Sequence, residues 1–203
     1  PAAQYVGELI ISQIGLPDTL SELKAKSQFI IDNQTVLDRL PVRLLDGHKG
    51  TFGKLFIVAG SSNYVGAAVL SGESAYRSGA GLITIAVPTP LVSIIASQLR
   101  EPTYIHLPYD GWDMSEQASQ TIIDDVKGYQ TLLIGPGLGQ HEATKSVLSK
   151  VLNSEDLPSL ILDADALNIL SQQDEWWNRM PAGSIITPHP GEMARLTDTD
   201  TRY

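Results

Sequence analysis

Five short apolar runs recur along the chain: "KLFIVAG" at 54–60, "GLITIAVP" at 81–88, "TLLIGPG" at 131–137, "SLILDAD" at 159–165 and "SIITPHP" at 184–190. Each is rich in β-branched residues and stops at Gly, Pro or Asp, the pattern of a strand running into a loop. Between them lie "AAVLSGESAYRSGA", "PLVSIIASQL", "SEQASQTIIDDV" and "EATKSVLSKVL", stretches of helical character long enough to cross back over a sheet. Strand and helix in alternation predict an α/β fold whose sheet is mostly parallel. The near-continuous apolar character of the runs predicts helices on both of its faces, with right-handed crossovers. The first 50 residues are less regular. There "GELIISQIGLPDTL" reads as a short apolar segment ending in a turn, either an edge strand with its connector or the tail of an upstream domain. The expected division is an N-terminal connector over 1–45 and an α/β domain over 46–203.

Composition narrows the function. A chain of 203 residues supports one core of ordinary size. With 14 basic and 23 acidic residues and a formal charge of -9, it has no basic face to follow a nucleic-acid backbone. An anionic ligand stays compatible with that charge, because N–H groups at helix starts attract phosphate locally. The absence of cysteine excludes disulfides, thiolate metal sites and cysteine nucleophiles, and agrees with a reducing compartment. No stretch approaches the roughly 18 uninterrupted apolar residues of a membrane span, and the start does not read as a signal peptide. The expectation is a soluble, cytoplasmic protein without nucleic-acid or membrane partners.

In an open α/β sheet, ligands collect beyond the carboxyl ends of the strands, where Gly60, Gly135, Asp163 and His189 all fall. "AGSSNYVGAAVL" (59–70), which holds Asn63 and Ala67, reads as strand, small polar loop and helix start. Its N–H groups suit a phosphate, although a plain turn using glycine reads equally well. It is not a Walker A loop, because no Gly-Lys-Ser/Thr follows Gly66. "GPGLGQ" (135–140) lets the main chain approach a ligand closely, but lacks the full dinucleotide spacing. In "LDADALNIL" (162–170), Asp165 stands where a helix N-cap is expected, with Asn168 three residues on. Asp163, at the strand tip, is the better candidate to meet a metal-bound or hydroxyl-bearing ligand. In "IITPHPGE" (185–192) two prolines stiffen the loop around His189, and Glu192 suits a cap on the turn that follows. "DGHKGTFGK" (46–54), with His48, Lys49 and Lys54, is either a flap over an anion or a solvated loop. There is no HExxH zinc helix and no GxSxG elbow.

Taken in order, "HKGTFGKLFIVAGSSNYVGAA", "SGAGLITIAVP", "LLIGPGLG", "LILDADALNIL" and "ITPHPGEMARL" resemble the NAD(P)H-hydrate dehydratases, carbohydrate-kinase-related members of the ribokinase-like superfamily. The resemblance implies a three-layer αβα domain and a repair activity. That activity is dehydration of hydrated NADH or NADPH at the expense of ADP, or of ATP in eukaryotes, with Mg²⁺ expected. ADP would leave as AMP and phosphate. It also implies that Ala67, Gly137 and His189 contact the hydrated nucleotide, with Asn63, Asp163, Asn168 and Glu192 in the vicinity of nucleotide or metal, and that the protein is a homo-oligomer.

Members of that family continue to a Gly-x-Gly-Asp motif, whose N–H groups form an anion hole and whose aspartate is the expected base. No such motif occurs in these 203 residues. The sequence is therefore expected to be a fragment, inactive by itself, with an exposed sheet edge and one uncovered face. "YVGELIISQIGLP" resembles the segment that joins an epimerase domain to the dehydratase in bifunctional members, so an upstream domain is expected. Two other readings stand beside this one: a ribokinase-like kinase of a small alcohol, and a non-catalytic nucleotide-binding module.

Overall fold

A computed structural model describes Ile10, Ser12, residues 31–41 and residues 46–200. The predicted apolar segment at 7–20 lies, apart from Ile10 and Ser12, outside the described residues. The chain divides into two compact units, one to Leu45 together with Tyr203, the other from Asp46 to Arg202. In the first, helix α1 (Asn33–Leu37) is capped by Asp32, whose carboxylate accepts the Thr35 N–H at 2.8 Å and holds its own pKa below the usual carboxylate value.

The second unit is built on a six-stranded parallel sheet. In chain order its elements are β1 (Lys54–Val58), α2 (Val65–Arg77), β2 (Leu82–Pro88), α3 (Thr89–Gln98) and β3 (Thr103–Leu107). There follow a short antiparallel pair, β4 (Tyr109–Asp110) and β5 (Asp113–Met114), then α4 (Ala118–Asp125), β6 (Thr131–Ile134), α5 (Glu142–Leu152) and β7 (Ser159–Leu162). After these come α6 (Asp165–Leu170), a 3₁₀ turn at Trp176–Arg179, β8 (Ile185–Ile186) and α7 (Pro190–Thr197). All five predicted strands and all four predicted helices are present. Among the described residues no helix is long and apolar enough to cross a membrane.

The spatial order is β3-β2-β1-β6-β7-β8. From β1 the chain first adds strands in one direction and then, from β6, in the other. Crossovers of constant hand must change face at such a reversal. They do: α2 and α3 pack with Ile57, Ile83 and Ile85, whereas α4, α5 and α6 pack with Phe56, Leu132, Ile134, Leu160 and Leu162. The strand order reverses between β1 and β6, so their carboxyl ends open a crevice there.

The register shows how far each face is covered. One row runs Ala86, Val58, Ile134, Leu162, Ile186, and its first four residues are buried. The opposite row runs Ile85, Ile57, Leu133, Ile161, Ile185. Ile85 and Ile57 are wholly buried under α2, Leu133 and Ile161 are partly open, and Ile185 is 55% exposed. Among the described residues, no helix covers that side of β7 and β8.

Three strands escaped the sequence reading, as did α1 and the 3₁₀ turn. β3 is an edge strand of mixed burial, "TYIHL", too polar to stand out as an apolar run. The β4–β5 pair has two residues to a strand and turns through Gly111, at φ 62°. It is anchored by the buried Met114 and by the bond from the Ser115 N–H to the Pro108 carbonyl.

Candidate functional site

The site is assembled at the reversal point. Gly60, two residues past β1 and at φ 84°, donates its N–H to the Pro136 carbonyl at 2.8 Å, joining the loop after β1 to the loop after β6. Gly137 adopts φ 64°, and a Cβ there would stand 2.7 Å from the Cβ atoms of both Ala67 and Tyr64. Only glycine lets the two loops close to this distance. The structure thus brings together Ala67, in the first turn of α2, and Gly137, in the loop after β6, which lie 70 positions apart in the sequence. Asn63 is exposed in the first of these loops.

Most N–H groups of that loop are already committed. Ser62 donates to Asp113, Tyr64 to the Ser61 carbonyl and Ala67 to the Tyr64 carbonyl. The first turn of α2 still presents Val65 and Gly66, whose N–H groups have no partner within the helix. These are the donors an anion would meet.

The glycine loop is braced from behind. Asp165 was expected to cap its own helix, but the N-cap is Ala164, at φ 51° and without a side-chain cap bond. The Asp165 carboxylate instead accepts the Gly139 N–H at 2.9 Å and the Gln140 amide at 3.0 Å. A brace to the neighbouring loop satisfies donors that no helix bond reaches, and so replaces the cap. Asp163, at the tip of β7, accepts the Thr187 hydroxyl at 2.8 Å. Its backbone carbonyl lies where a Cβ on Gly135 would fall, at 1.9 Å. Ala67, Pro136, Asp163 and Thr187 line the upper end of an open groove of about 570 Å³, whose floor is Leu55, Leu133 and Ile161.

His189 is the N-cap of α7. Its Nδ1 accepts the N–H groups of Gly191 at 3.0 Å and Glu192 at 3.3 Å, while the Glu192 carboxylate accepts the His189 N–H at 2.9 Å. This reciprocal arrangement is a capping box with histidine in the place usually taken by Ser, Thr, Asp or Asn. Because Nδ1 is an acceptor, the neutral ring carries its proton on Nε2. Nε2 lies 3.3 Å from Glu192 Oε1, on a side chain that is 62% exposed and so within reach of solvent. Glu192 itself is buried, as the predicted cap requires. Asn168 Oδ1 accepts from Arg195 Nε at 2.9 Å.

The loop at 46–54 lies elsewhere. The Lys49 carbonyl is 1.8 Å from where a Cβ on Gly81 would fall, and the Gly81 N–H donates to the Phe52 and Gly53 carbonyls. His48 and Lys49 therefore belong to the amino ends of β1 and β2, opposite the crevice. Among the described residues no three His, Asp or Glu side chains converge to hold a metal.

Sequence reading missed Asp113, Tyr64, Thr187 and Arg195. Their partners Ser62, Gly137, Asp163 and Asn168 are distant in the sequence, and only the sheet order places them together.

A family model described as NAD(P)H-hydrate dehydratase matches residues 55–201. The bifunctional NAD(P)H-hydrate repair enzyme Nnr of Coxiella burnetii is 36% identical over 203 residues, covering 96% of this chain and 37% of that protein. The ADP-dependent (S)-NAD(P)H-hydrate dehydratase of Bacillus subtilis is 37% identical over 158 residues, covering 78% of this chain and 52% of that one. Its solved structure, co-crystallised with ATP/Mg²⁺, superposes with a TM-score of 0.63 at 31% identity, over 83% of this chain and 55% of that one. A ribokinase-like superfamily protein of Enterococcus faecalis gives a TM-score of 0.66 at 26% identity, over 80% and 54% of the two chains. The chain thus spans roughly a third to a half of the length of these relatives, and on the family match and these identities it belongs to the NAD(P)H-hydrate dehydratase family.

Proposed function

We propose that the intact protein carrying this chain restores NADH or NADPH from the hydrated form by ADP-dependent dehydration. The observation that carries the reading is the fit of Gly137 against Ala67 and Tyr64 at the strand-order reversal, in a chain whose family match spans both loops. Hydroxide is a poor leaving group from the hydrated ring, and phosphate is a good one. Transfer of a phosphoryl group from ADP to the ring hydroxyl releases AMP. The ring nitrogen lone pair then expels phosphate, and loss of the neighbouring proton regenerates the dihydronicotinamide.

Such a transfer depends on positioning and charge stabilisation more than on a nucleophile. In this reading Ala67 and Gly137 form the wall against which the nicotinamide lies, and the His189 Nε2–H donates to the hydrated nucleotide. The N–H groups at the start of α2 face its phosphates. Mg²⁺ would arrive with the adenine nucleotide and neutralise phosphate oxygens. Sites of that kind use one or two carboxylates, with phosphates and waters completing the shell. Asp163 at the β7 tip has the chemistry to be such a carboxylate. Asn63, Asn168 and Glu192 are assigned to the neighbourhood of the nucleotide, the last two as supports.

The bifunctional relative matches nearly the whole chain and the single-function relative a shorter part, which supports a fused epimerase domain preceding residue 1. A homo-oligomer in the cytoplasm completes the reading. The test is to incubate the intact protein with hydrated NADH and ADP or ATP and follow dihydronicotinamide absorbance. Recovery with ADP supports the reading, recovery with ATP alone keeps the dehydration and changes the co-substrate, and no recovery, with phosphorylation of another alcohol, replaces it with a small-molecule kinase.

A further inference from the structure

Asp113 is placed by an element with no evident part in the fold's core sheet. The β4–β5 hairpin leaves the carboxyl end of β3, turns through Gly111 and returns, anchored below by buried Met114. Its effect is to carry one carboxylate across two strands to the reversal point. There Asp113 Oδ1 accepts the Ser62 N–H at 2.9 Å, and Oδ2 accepts the Ser62 hydroxyl at 3.3 Å. The same Oδ2 lies 3.9 Å from His141 Nε2, at the start of α5. Ser62 is in the loop that leads to Tyr64 and Ala67, and His141 ends the loop that begins at Gly135. Asp113 is thus bonded to the loop after β1 and lies beside the end of the loop after β6, from a third loop, without lining the groove.

We propose that Asp113 is a positioning residue for ligand binding, holding the 61–64 loop in the shape that lets Val65, Gly66 and Ala67 meet the hydrated nucleotide. The inference rests on the reading of this crevice as the hydrated-nucleotide site. The 61–64 turn carries one bond of its own, from the Tyr64 N–H to the Ser61 carbonyl, and leads into a helix without a side-chain cap. Two charge-assisted bonds from one carboxylate supply the missing constraint before the ligand arrives, so the ordering cost does not fall on binding. Because the groups fixed are binding groups, their loss acts on affinity. The chemical step depends on groups brought up afterwards.

The experiment compares wild-type intact protein with Asp113→Ala, Asp113→Asn and, as a charge control on the same hairpin, Asp110→Asn. Amide hydrogen exchange is read at residues 61–66, and KM and kcat with hydrated NADH. For Asp113→Ala the expected result is faster exchange at Ser62 and a KM raised about tenfold, with kcat within about threefold of wild type. Asp113→Asn, which keeps one acceptor, is expected to restore at least half of the KM loss on a logarithmic scale, and Asp110→Asn to leave both readouts unchanged. Unchanged exchange at Ser62 in the alanine variant overturns the inference, whatever the substrate. So does a fall in kcat at unchanged KM. If wild type shows no turnover, the functional reading fails by itself, and the exchange result still decides whether Asp113 holds the loop.

Discussion

The Asp165 carboxylate accepts the Gly139 N–H at 2.9 Å, tying the first turn of α6 to the glycine loop that follows β6. A second bond, from the Gln140 amide at 3.0 Å, fixes the next residue. Replacing Asp165 with Ala removes a charged acceptor from a part-buried donor, which costs about 1–3 kcal/mol in folding stability. It should also raise the KM for the nucleotide, because Gly137 lies on the loop that is released. Asp165→Asn retains an acceptor and should lose less of both. Denaturant unfolding beside steady-state kinetics checks the pair.

The two glycines of that loop should answer differently to a methyl group. At Gly135 a Cβ would fall 1.9 Å from the Asp163 carbonyl, a backbone atom held by β7, at φ 135°. Gly135→Ala should therefore fail to fold, beyond the range of about 4 kcal/mol that marks severe substitutions. At Gly137 the obstacles are two side-chain Cβ atoms at the start of α2, at 2.7 Å, and no strand backbone, so Gly137→Ala should fold with a loss of about 1–3 kcal/mol. Its larger effect should fall on ligand affinity, read by titration.

Much of the scaffold was legible in the sequence because buried parallel strands leave an unmistakable trace. The runs at 54–60, 81–88, 131–137, 159–165 and 184–190 each hold a strand of the sheet. β3 left no such trace, since an edge strand with His106 exposed and Tyr104 only partly buried need not be apolar. Local chemistry was also readable where both partners are near in sequence, as with Glu192 capping α7. It failed where the partner is remote. Asp165 has the residue type and position of an N-cap, and nothing local signals that Gly139 competes for its carboxylate. Asp113 carries no motif at all, and its meaning comes entirely from Ser62, 51 residues away.

Tyr104 gives the fold a pH limit on the alkaline side. Burial first, then the neighbouring Tyr76 and Glu101, hold its phenol above the ordinary tyrosine value of 10.0, and the hydroxyl donates to the Leu99 carbonyl. A group whose folded pKa is raised stabilises the fold fully below its unfolded value. That contribution is lost as pH rises from about 10 through the folded value. Urea midpoints measured from about pH 8 to about pH 11 should therefore fall at the alkaline end, and Tyr104→Phe should flatten the fall. Tyr76, raised chiefly by burial, should leave a residual slope.

The open side of β7 and β8 should dominate the solution behaviour of the 203-residue chain. Leu70 is 64% exposed and Ile185 55% exposed on the side of the sheet where the groove lies. Apolar surface of this kind favours self-association. Ile185→Lys should lower light scattering of the isolated chain while changing its stability by no more than about 0.5 kcal/mol. Scattering unaffected by the substitution would show that association uses another surface.

In the proposed function the crevice between the loops after β1 and β6 receives the hydrated nucleotide, with His189 donating from Nε2. His189 caps α7 through Nδ1, the proposed ligand contact uses Nε2, and His189→Asn separates the two, since the shorter Asn caps well but its amide N–H groups do not reach the position of Nε2. The decisive measurement is the KM and kcat of His189→Asn in the intact protein with hydrated NADH and ADP, beside its melting temperature. The predicted result is a KM raised about tenfold or more, with melting temperature and kcat near wild type. An unchanged KM with a large loss of kcat would contradict it, and would make His189 part of the chemistry and not of substrate binding.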